Sequence, residues 1–138
     1  MTIQEKQQEL IDEFAIYDDW MDKYEYIIEL GKSVKGIPEQ SKTKEQLIEG
    51  CQSNVWLTCR LEAGKMYFEA DADAIITKGI IGMLLQVYNG ESPQTILQTE
   101  PNFIHEIGLT EHLSPTRANG LLSMVKRIKT EALQSLNP

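Results

Sequence analysis

The order of patterns along the chain predicts an α+β fold, with helical periodicity at both ends and strand-forming residues between them. At the two ends, apolar residues recur every three or four positions. The middle holds two runs rich in β-branched and aromatic residues, separated by a glycine turn. A length of 138 residues suits one domain. We therefore expect a single domain over residues 1–138, in which a small antiparallel sheet of about three strands packs against N-terminal and C-terminal helices.

Two helices are predicted in the first part of the chain. A threonine and a glutamate near the N-terminus have the spacing of a capping box, and the apolar residues that follow predict a first helix over residues 3–15. Asp18 or Asp19 should cap a second helix. Gly31 should end it, because glycine readily takes the positive φ of a helix C-terminus.

Two strands are predicted over residues 55–62 and 66–72. Both runs are rich in strand formers, and the intervening residues suit a tight hairpin turn with Gly64 in the left-handed position. An isolated two-stranded ribbon is only marginally stable in water. We therefore expect a third strand, contributed by residues 34–37.

A central helix is predicted over residues 74–88, capped by Asp71 or Asp73. It is apolar around most of its circumference, which is typical of a buried helix. Gly79 and Gly82 cost this helix about 1 kcal/mol each relative to alanine. We expect these glycines to permit close packing against the sheet.

Two Ser-Pro pairs mark further helix starts. Serine can cap a helix, and proline suits the first helical position because its missing N–H has no partner there. The pair at residues 92–93 predicts a short helix, and the pair at residues 114–115 predicts a closing helix over residues 115–136.

Cys51 is the candidate reactive residue. It lies between Gly50 and Gln52, in a loop that leads through Ser53 into the first strand. A thiolate is a strong nucleophile, and a loop held by a rigid scaffold can present it to another protein. Gly50 permits close backbone approach. This arrangement indicates sulfur chemistry.

Cys59 has a different setting. The strand period of two places it on one face with Val55, Leu57 and Leu61. A cysteine on such a face is usually a small buried hydrophobe. Two cysteines are also too few for a disulfide framework, so each is interpreted alone.

Composition and spacing exclude several classes of function. The net charge of -8 would repel nucleic acid and anionic lipid, so we expect neither a nucleic acid nor a membrane as partner. No apolar stretch approaches the roughly 20 residues that span a bilayer, and the N-terminus has no secretory pattern, so we expect a cytoplasmic location. The spacings of Cys51 with Cys59 and of His105 with His112 match no common zinc pattern, so we expect no metal.

Three blocks of the sequence resemble the SufE family of sulfur-acceptor proteins. The blocks are Gly50-Cys51-Gln52-Ser53 leading into Val55-Trp56-Leu57; Asp71-Ala72-Asp73-Ala74 with Ile75-Ile76 and Lys78-Gly79; and His112-Leu113-Ser114-Pro115-Thr116-Arg117 with Asn119-Gly120-Leu121. They span most of the chain, and their order and spacing fit the family, which makes an accidental match improbable.

The resemblance implies a SufE/IscU-like fold and a role in iron–sulfur cluster assembly. Such a protein would accept the outer sulfur of a persulfide from a pyridoxal-phosphate cysteine desulfurase of the SufS type and raise that enzyme's turnover. It would then deliver the sulfur to a SufB-type scaffold, as in SufBCD. The acceptor would be Cys51. The chain would be a sulfur-transfer partner rather than an autonomous enzyme, and it would need no cofactor because the pyridoxal phosphate belongs to the desulfurase.

The resemblance also implies residues that support the loop or the partner. Those of the loop itself are Gly50, Gln52 and Ser53. Arg117 lies in the first turn of the closing helix, where a cation opposes the helix dipole. The resemblance suggests that Arg117 orders the sulfur loop or meets the partner, through Asp71 or Asp73. A plain surface salt bridge is the alternative.

Two other functions stay open. An iron–sulfur scaffold of IscU-like fold would need several converging thiolates, whereas this chain offers one loop thiol. A regulatory binding subunit would use no sulfur chemistry. The sequence also leaves open whether the desulfurase is of the SufS or the CsdA type, and whether the chain forms a homodimer.

Overall fold

Seven helices and one antiparallel hairpin make up residues 1–137, the residues that the computed structural model describes. The elements in chain order are α1 (Ile3–Ala15), α2 (Trp20–Gly31), β1 (Val55–Glu62), β2 (Lys65–Ala72), α3 (Ile75–Tyr88), α4 (Pro93–Gln98), α5 (Asn102–Ile107), α6 (Leu109–His112) and α7 (Pro115–Leu136). A 3-10 turn, Glu39–Ser41, interrupts the long connection between α2 and β1. The predicted α+β class is confirmed.

The sheet of residues 1–137 has two strands instead of the predicted three. β1 and β2 pair antiparallel, and Glu62 lies opposite Lys65 next to the turn. The turn consists of Ala63 and Gly64, both at positive φ. Two such residues give the turn a twist that matches the right-handed twist of the strands.

The prediction of a third strand from residues 34–37 is wrong, because this stretch is irregular. Short pieces of other connections bond to the hairpin edges instead. On the β1 side, the Ile48 N–H donates to the Val55 carbonyl (2.8 Å), and the Leu57 N–H donates to the Gln46 carbonyl (2.9 Å). A short stretch after α3 bonds to β2 in the same way. These bridges bond part of each edge of the ribbon, where a full third strand was expected.

Four helix starts, those of α1, α2, α4 and α7, follow the predicted capping pattern. The Glu5 N–H donates to Thr2 Oγ1 (3.1 Å) and the Thr2 N–H donates to Glu5 Oε1 (2.8 Å), which completes the capping box. The second of the two candidate aspartates, Asp19, caps α2. Ser92 and Ser114 cap α4 and α7. Each cap satisfies an N–H that has no partner within its helix.

The start of α3 differs from the prediction. Its N-cap is Ala74, and neither Asp71 nor Asp73 accepts a hydrogen bond from its first turn. The reason is that β2 runs almost directly into α3. Asp71 is still part of the strand, and the Asp73 carboxylate is bonded to the backbone of Asn54.

Glycines allow α2 and α3 to pack in direct backbone contact. Gly31 is the last residue of α2 and does not have a positive φ, so its predicted C-cap role is wrong. A Cβ on Gly31 would lie 2.7 Å from the backbone N of Gly79, and a Cβ on Gly79 would overlap the carbonyl of Ile27. Gly79 and Gly82 therefore face α2, and not the sheet as predicted.

The core is built around α3. Most of its side chains are buried, including the aromatic ring of Tyr88 at its end. α1, α2, α7 and β2 pack around it. Within residues 1–137, every helix is too short or too polar to cross a lipid bilayer.

Candidate functional site

Cys51 lies near the end of the α2–β1 connection, just before β1 begins. The preceding Gly50 has a φ of 92°, a conformation that other residues rarely adopt. A Cβ at Gly50 would also overlap Ser123 Oγ of α7. The positive φ favours glycine, and a Cβ would require Ser123 to move, so the absence of a side chain lets the Cys51 loop lie against α7.

The Cys51 thiol is half-buried against α7. Its Sγ lies 3.7 Å from the carbonyl oxygen of Gly120, to which a thiol can donate a weak hydrogen bond. Burial raises the pKa of the Cys51 thiol, because a thiolate loses hydration there. In the isolated chain the sulfur is therefore held mainly as a neutral thiol near pH 7.

A pocket of about 250 Å³ opens beside the thiol. The Cys51 loop, the start of α3 and the first turns of α7 form its walls. Its apolar side consists of Ile76, Ile80 and Met124, and its polar side includes Gln52, Ser53, Thr77, Thr116 and Arg117. The structure thus brings four of the predicted site residues together: Cys51, Gln52, Ser53 and Arg117.

Hydrogen bonds hold the far end of the Cys51 loop. The Ser53 hydroxyl donates to Thr77 Oγ1 of α3 (3.0 Å). The Asn54 N–H donates to Asp73 Oδ1 (3.0 Å), and the Asp73 N–H donates to the Asn54 carbonyl (3.1 Å). Asp73 therefore ties the end of the loop to the junction between β2 and α3, although it does not line the pocket.

Arg117 is exposed and does not contact either predicted aspartate. Its backbone N–H donates to Ser114 Oγ (3.3 Å), and its side chain forms no salt bridge with any residue of the described chain. The predicted contact through Asp71 or Asp73 is wrong, since both carboxylates are bonded elsewhere. The Arg117 guanidinium is available at the edge of the pocket.

Asp71 holds the long connection before Cys51 to the hairpin. Its carboxylate lies 3.2 Å from Lys42 Nζ and 3.4 Å from Lys78 Nζ, and it accepts the Ala72 N–H at 2.9 Å. Burial alone would raise the Asp71 pKa, but these donors and charges lower it below its ordinary value. A Cβ at Gly36 would lie 2.9 Å from Asp71 Oδ2, so the connection passes close to the carboxylate.

Cys59 is half-buried rather than buried as expected. β1 leaves the core along its length, and Leu61 on the same face is 52% exposed. Cys59 Sγ donates to Glu131 Oε2 of α7 (3.4 Å). Burial and the Glu131 carboxylate raise the Cys59 pKa to about 12, against an opposing effect of Arg127.

Thr77, Ser123 and Met124 at this site are not singled out by the sequence analysis. Thr77 is a polar residue in a mostly apolar helix, which is a signal that sequence can offer, and the structure buries it. Ser123 and Met124 give no such signal, because they fit the ordinary mixture of polar and apolar residues in an amphipathic helix. Within residues 1–137, no group of three or more His, Cys, Asp or Glu side chains could hold a metal ion.

Comparison with known proteins identifies relatives over most of the chain. The family model described as "SufE: Fe-S metabolism associated domain" matches residues 8–132. An uncharacterized SufE-like protein of Rhizobium meliloti (strain 1021) is 43% identical over 129 residues, covering 90% of this chain and 92% of the relative. An uncharacterized SufE-like protein of Rhizobium etli is 41% identical over 129 residues, covering 90% and 87%.

A solved structure has the same fold. The solution structure of a hypothetical protein from Thermus thermophilus matches with a TM-score of 0.79, covering 96% of this chain and 97% of that protein. The two sequences are 22% identical, so this likeness concerns the fold alone. It agrees with the helix-flanked hairpin described above.

Proposed function

The chain belongs to the SufE family, and from this premise we propose that it is a cytoplasmic sulfur acceptor and activator of a pyridoxal-phosphate cysteine desulfurase of the SufS type. In this proposal Cys51 takes the sulfur as a persulfide and delivers it to a SufBCD-type scaffold that assembles iron–sulfur clusters. One observation carries the proposal. Cys51 is the one loop cysteine in residues 1–137. It borders a pocket lined mostly by residues of the three sequence blocks that resemble the SufE family.

The transfer step is a thiol–persulfide exchange. The Cys51 thiolate attacks the outer sulfur of the desulfurase persulfide, so that a sulfur–sulfur bond forms at Cys51 and the original one breaks. The desulfurase cysteine leaves as a thiolate and takes up the proton that Cys51 lost. No oxidant or reductant is consumed. A second exchange with a scaffold thiolate returns Cys51 to the thiol, and the pyridoxal phosphate stays in the desulfurase throughout.

The half-buried thiol supports activation by the partner. The raised pKa of Cys51 keeps the thiolate scarce in the isolated chain, which limits oxidation before transfer. Binding of the desulfurase would draw the loop away from α7 and place the sulfur near positive charge, which lowers a thiol pKa. Arg117 at the same pocket is positioned to meet an acidic group of the partner.

The surface around Cys51 also suits a docking partner. Gln52 and Asn54 are exposed on either side of Ser53, and Ile75 at the start of α3 is 70% exposed. Apolar side chains with a polar surround are typical of protein–protein interfaces. Gly50 and Gln52, the residues directly before and after Cys51, are both exposed, so a partner that covers them also covers the reacting sulfur.

The test is transfer of sulfur onto the purified chain. The protein is incubated with a SufS-type desulfurase and cysteine, and its intact mass is measured with and without reductant. We expect one added, reductant-labile sulfur atom on Cys51. Cys51→Ser should abolish the addition, while the matched control Cys59→Ser should retain it.

The same experiment distinguishes the other functions. Sulfur addition that persists in Cys51→Ser would refute the acceptor role of Cys51. Stimulation of desulfurase turnover that is unchanged in Cys51→Ser would favour a regulatory subunit instead. Iron–sulfur cluster absorbance on the purified chain would favour a scaffold.

A further inference from the structure

Residues 45–48, just before the Cys51 loop, form a short additional edge beside β1. The Gln46 carbonyl and the Ile48 N–H bond to β1. Residues 44–46 form a hydrogen-bonded turn and Leu47 forms an isolated bridge with Trp56, so the carbonyls of Glu45 and Leu47 do not bond to β1. These two acceptors are open to a donor from elsewhere in the fold.

Arg127 of α7 supplies both partners. Its Nη1 donates to the Leu47 carbonyl (3.1 Å) and its Nη2 donates to the Glu45 carbonyl (2.6 Å). Its Nε donates to Glu131 Oε1 (2.9 Å), one turn further along the same helix. A planar guanidinium can bond two carbonyls and a carboxylate at once in a fixed geometry, and hydrogen bonds from a charged donor are among the stronger ones.

One stripe of α7 follows the chain from this segment to the thiol. Gly120 contacts Cys51, Ser123 contacts Gly50, and Arg127 holds the carbonyls just before them. Positions 120, 123 and 127 are spaced three and four apart, so they lie on the same helix face. Of these three contacts, the one made by Arg127 uses charged hydrogen bonds.

We propose that Arg127 is a positioning residue for Cys51. It clamps residues 45–48 to α7, and the bonds of Ser53 and Asn54 hold the far end, so that residues 49–52 are the segment that moves when the thiol leaves α7. The purpose of the clamp rests on the proposed function: a short mobile segment keeps the thiol against α7 until a partner draws it out. Without the clamp, the mobile segment extends back along the connection, and the open population rises.

Lys129 offers a matched control on the same helix. Its Nζ donates to the Thr99 carbonyl at 3.0 Å, beyond the end of α4. This is also a cationic side chain of α7 that holds a backbone carbonyl, but its carbonyl lies outside the Cys51 segment. Arg127→Met and Lys129→Met therefore remove similar tethers from two different connections.

The test compares the rate of Cys51 alkylation by iodoacetamide in the free, full-length protein, with the modified peptide quantified by mass spectrometry. Arg127→Met should raise the rate constant about tenfold, since two charge-assisted bonds are lost. Lys129→Met should change it by less than about twofold. Arg127→Lys should give a rate between those of the wild type and Arg127→Met, because an ammonium cannot bond both carbonyls in the fixed geometry of a guanidinium. Amide exchange is followed at Ile48 and at Leu84 of α3. The Ile48 amide should exchange faster in Arg127→Met, while the Leu84 amide stays protected.

Equal Cys51 alkylation in Arg127→Met and the wild type would overturn the proposal. An increase at Cys51 matched by faster exchange at Leu84 would also overturn it, because the variant would then act through global unfolding. If Arg127→Met does not fold, the proposal is tested with Arg127→Lys instead. The alkylation rate of Cys51 in Arg127→Lys must then exceed the rate in the wild type. This readout needs no sulfur transfer, so the clamp can hold even if Cys51→Ser shows that the proposed acceptor role is wrong.

Discussion

Cys51 and Cys59 are both half-buried, and both have raised thiol pKa values, but their backbones are held in different ways. Cys59 lies in β1, where it is paired with Phe68 of β2. Cys51 lies in a loop that is bonded at its two ends. A strand residue cannot turn outward without breaking the ladder, whereas a loop residue can move between its anchors. The exposure of a thiol therefore says less about its availability than the bonding of its backbone does.

The groups beside the two sulfur atoms also differ. Cys51 faces the neutral carbonyl of Gly120, and burial is the cause of its raised pKa. Cys59 faces the Glu131 carboxylate, which adds charge repulsion to burial and brings its pKa to about 12. A carboxylate is a lasting obstacle to a thiolate, while burial ends when a loop moves. Movement of the loop would therefore lower the pKa of Cys51, whereas Glu131 would still oppose the ionisation of Cys59.

The sharpest test of this difference is the alkylation rate of each cysteine in the wild-type protein at pH 8. We expect Cys51 to react at least about a hundredfold faster, because a thiol with a pKa near 12 is ionised in only about one molecule in ten thousand. Peptide mapping after limited iodoacetamide treatment measures both rates in one sample. Comparable alkylation rates would show that the two thiols do not differ in reactivity.

Replacing Gly50 in the Cys51 loop and Gly64 in the hairpin turn should separate the energetic cost of a positive φ from the cost of a close contact. Gly50→Ala should cost about 2–3 kcal/mol of unfolding free energy, because alanine is strained at positive φ and its Cβ would meet Ser123. Gly64→Ala in the hairpin turn should cost about 1 kcal/mol, because it has the same φ region but no neighbour within 4 Å. Urea unfolding gives both values. Equal losses would show that the loop does not press against α7.

Removing the carboxylate should make Cys59 more like Cys51. Glu131→Gln should raise the alkylation rate of Cys59 about tenfold, since loss of one repulsive charge lowers a pKa by about one unit. Cys51 should change by less than about twofold, because a glutamine oxygen can still accept from Arg127 Nε. An unchanged Cys59 rate would assign its low reactivity to burial and to the strand backbone.

The smallest expected effect is the pH dependence of the unfolding free energy that Asp71 contributes. Asp71 has a lowered pKa in the folded chain, so its contribution to stability is present above the unfolded pKa and is lost as pH falls through the folded one. Asp71→Asn should lose about 0.5–1 kcal/mol at pH 7 after solvent screening. The difference from the wild type should shrink below about pH 3. Urea titrations at pH 7, 4 and 2.5 measure it, and a constant difference would show that the charge is not involved.

The local parts of the fold could be predicted from sequence. The capping box of Thr2 and Glu5, the caps Ser92 and Ser114, and the hairpin all depend on residues within a few positions of each other. The position of Cys51 in a loop before β1 was predicted for the same reason. The wrong predictions concern partners that are distant in sequence. Asp71 has the spacing of a cap, but two lysines from other segments bond to its carboxylate.

Sequence by itself determined the α+β class, the bounds of the long helices, the family and the identity of the candidate thiol, because these follow from short-range bonding patterns and from motifs read in order. Tertiary structure decided that Gly31 meets Gly79, that the sheet stops at two strands, and that Arg127 holds the backbone before Cys51. Each of these depends on which surfaces come within bonding distance once the chain has packed. That choice is made by the combined burial of many side chains, and no single stretch of sequence contains it.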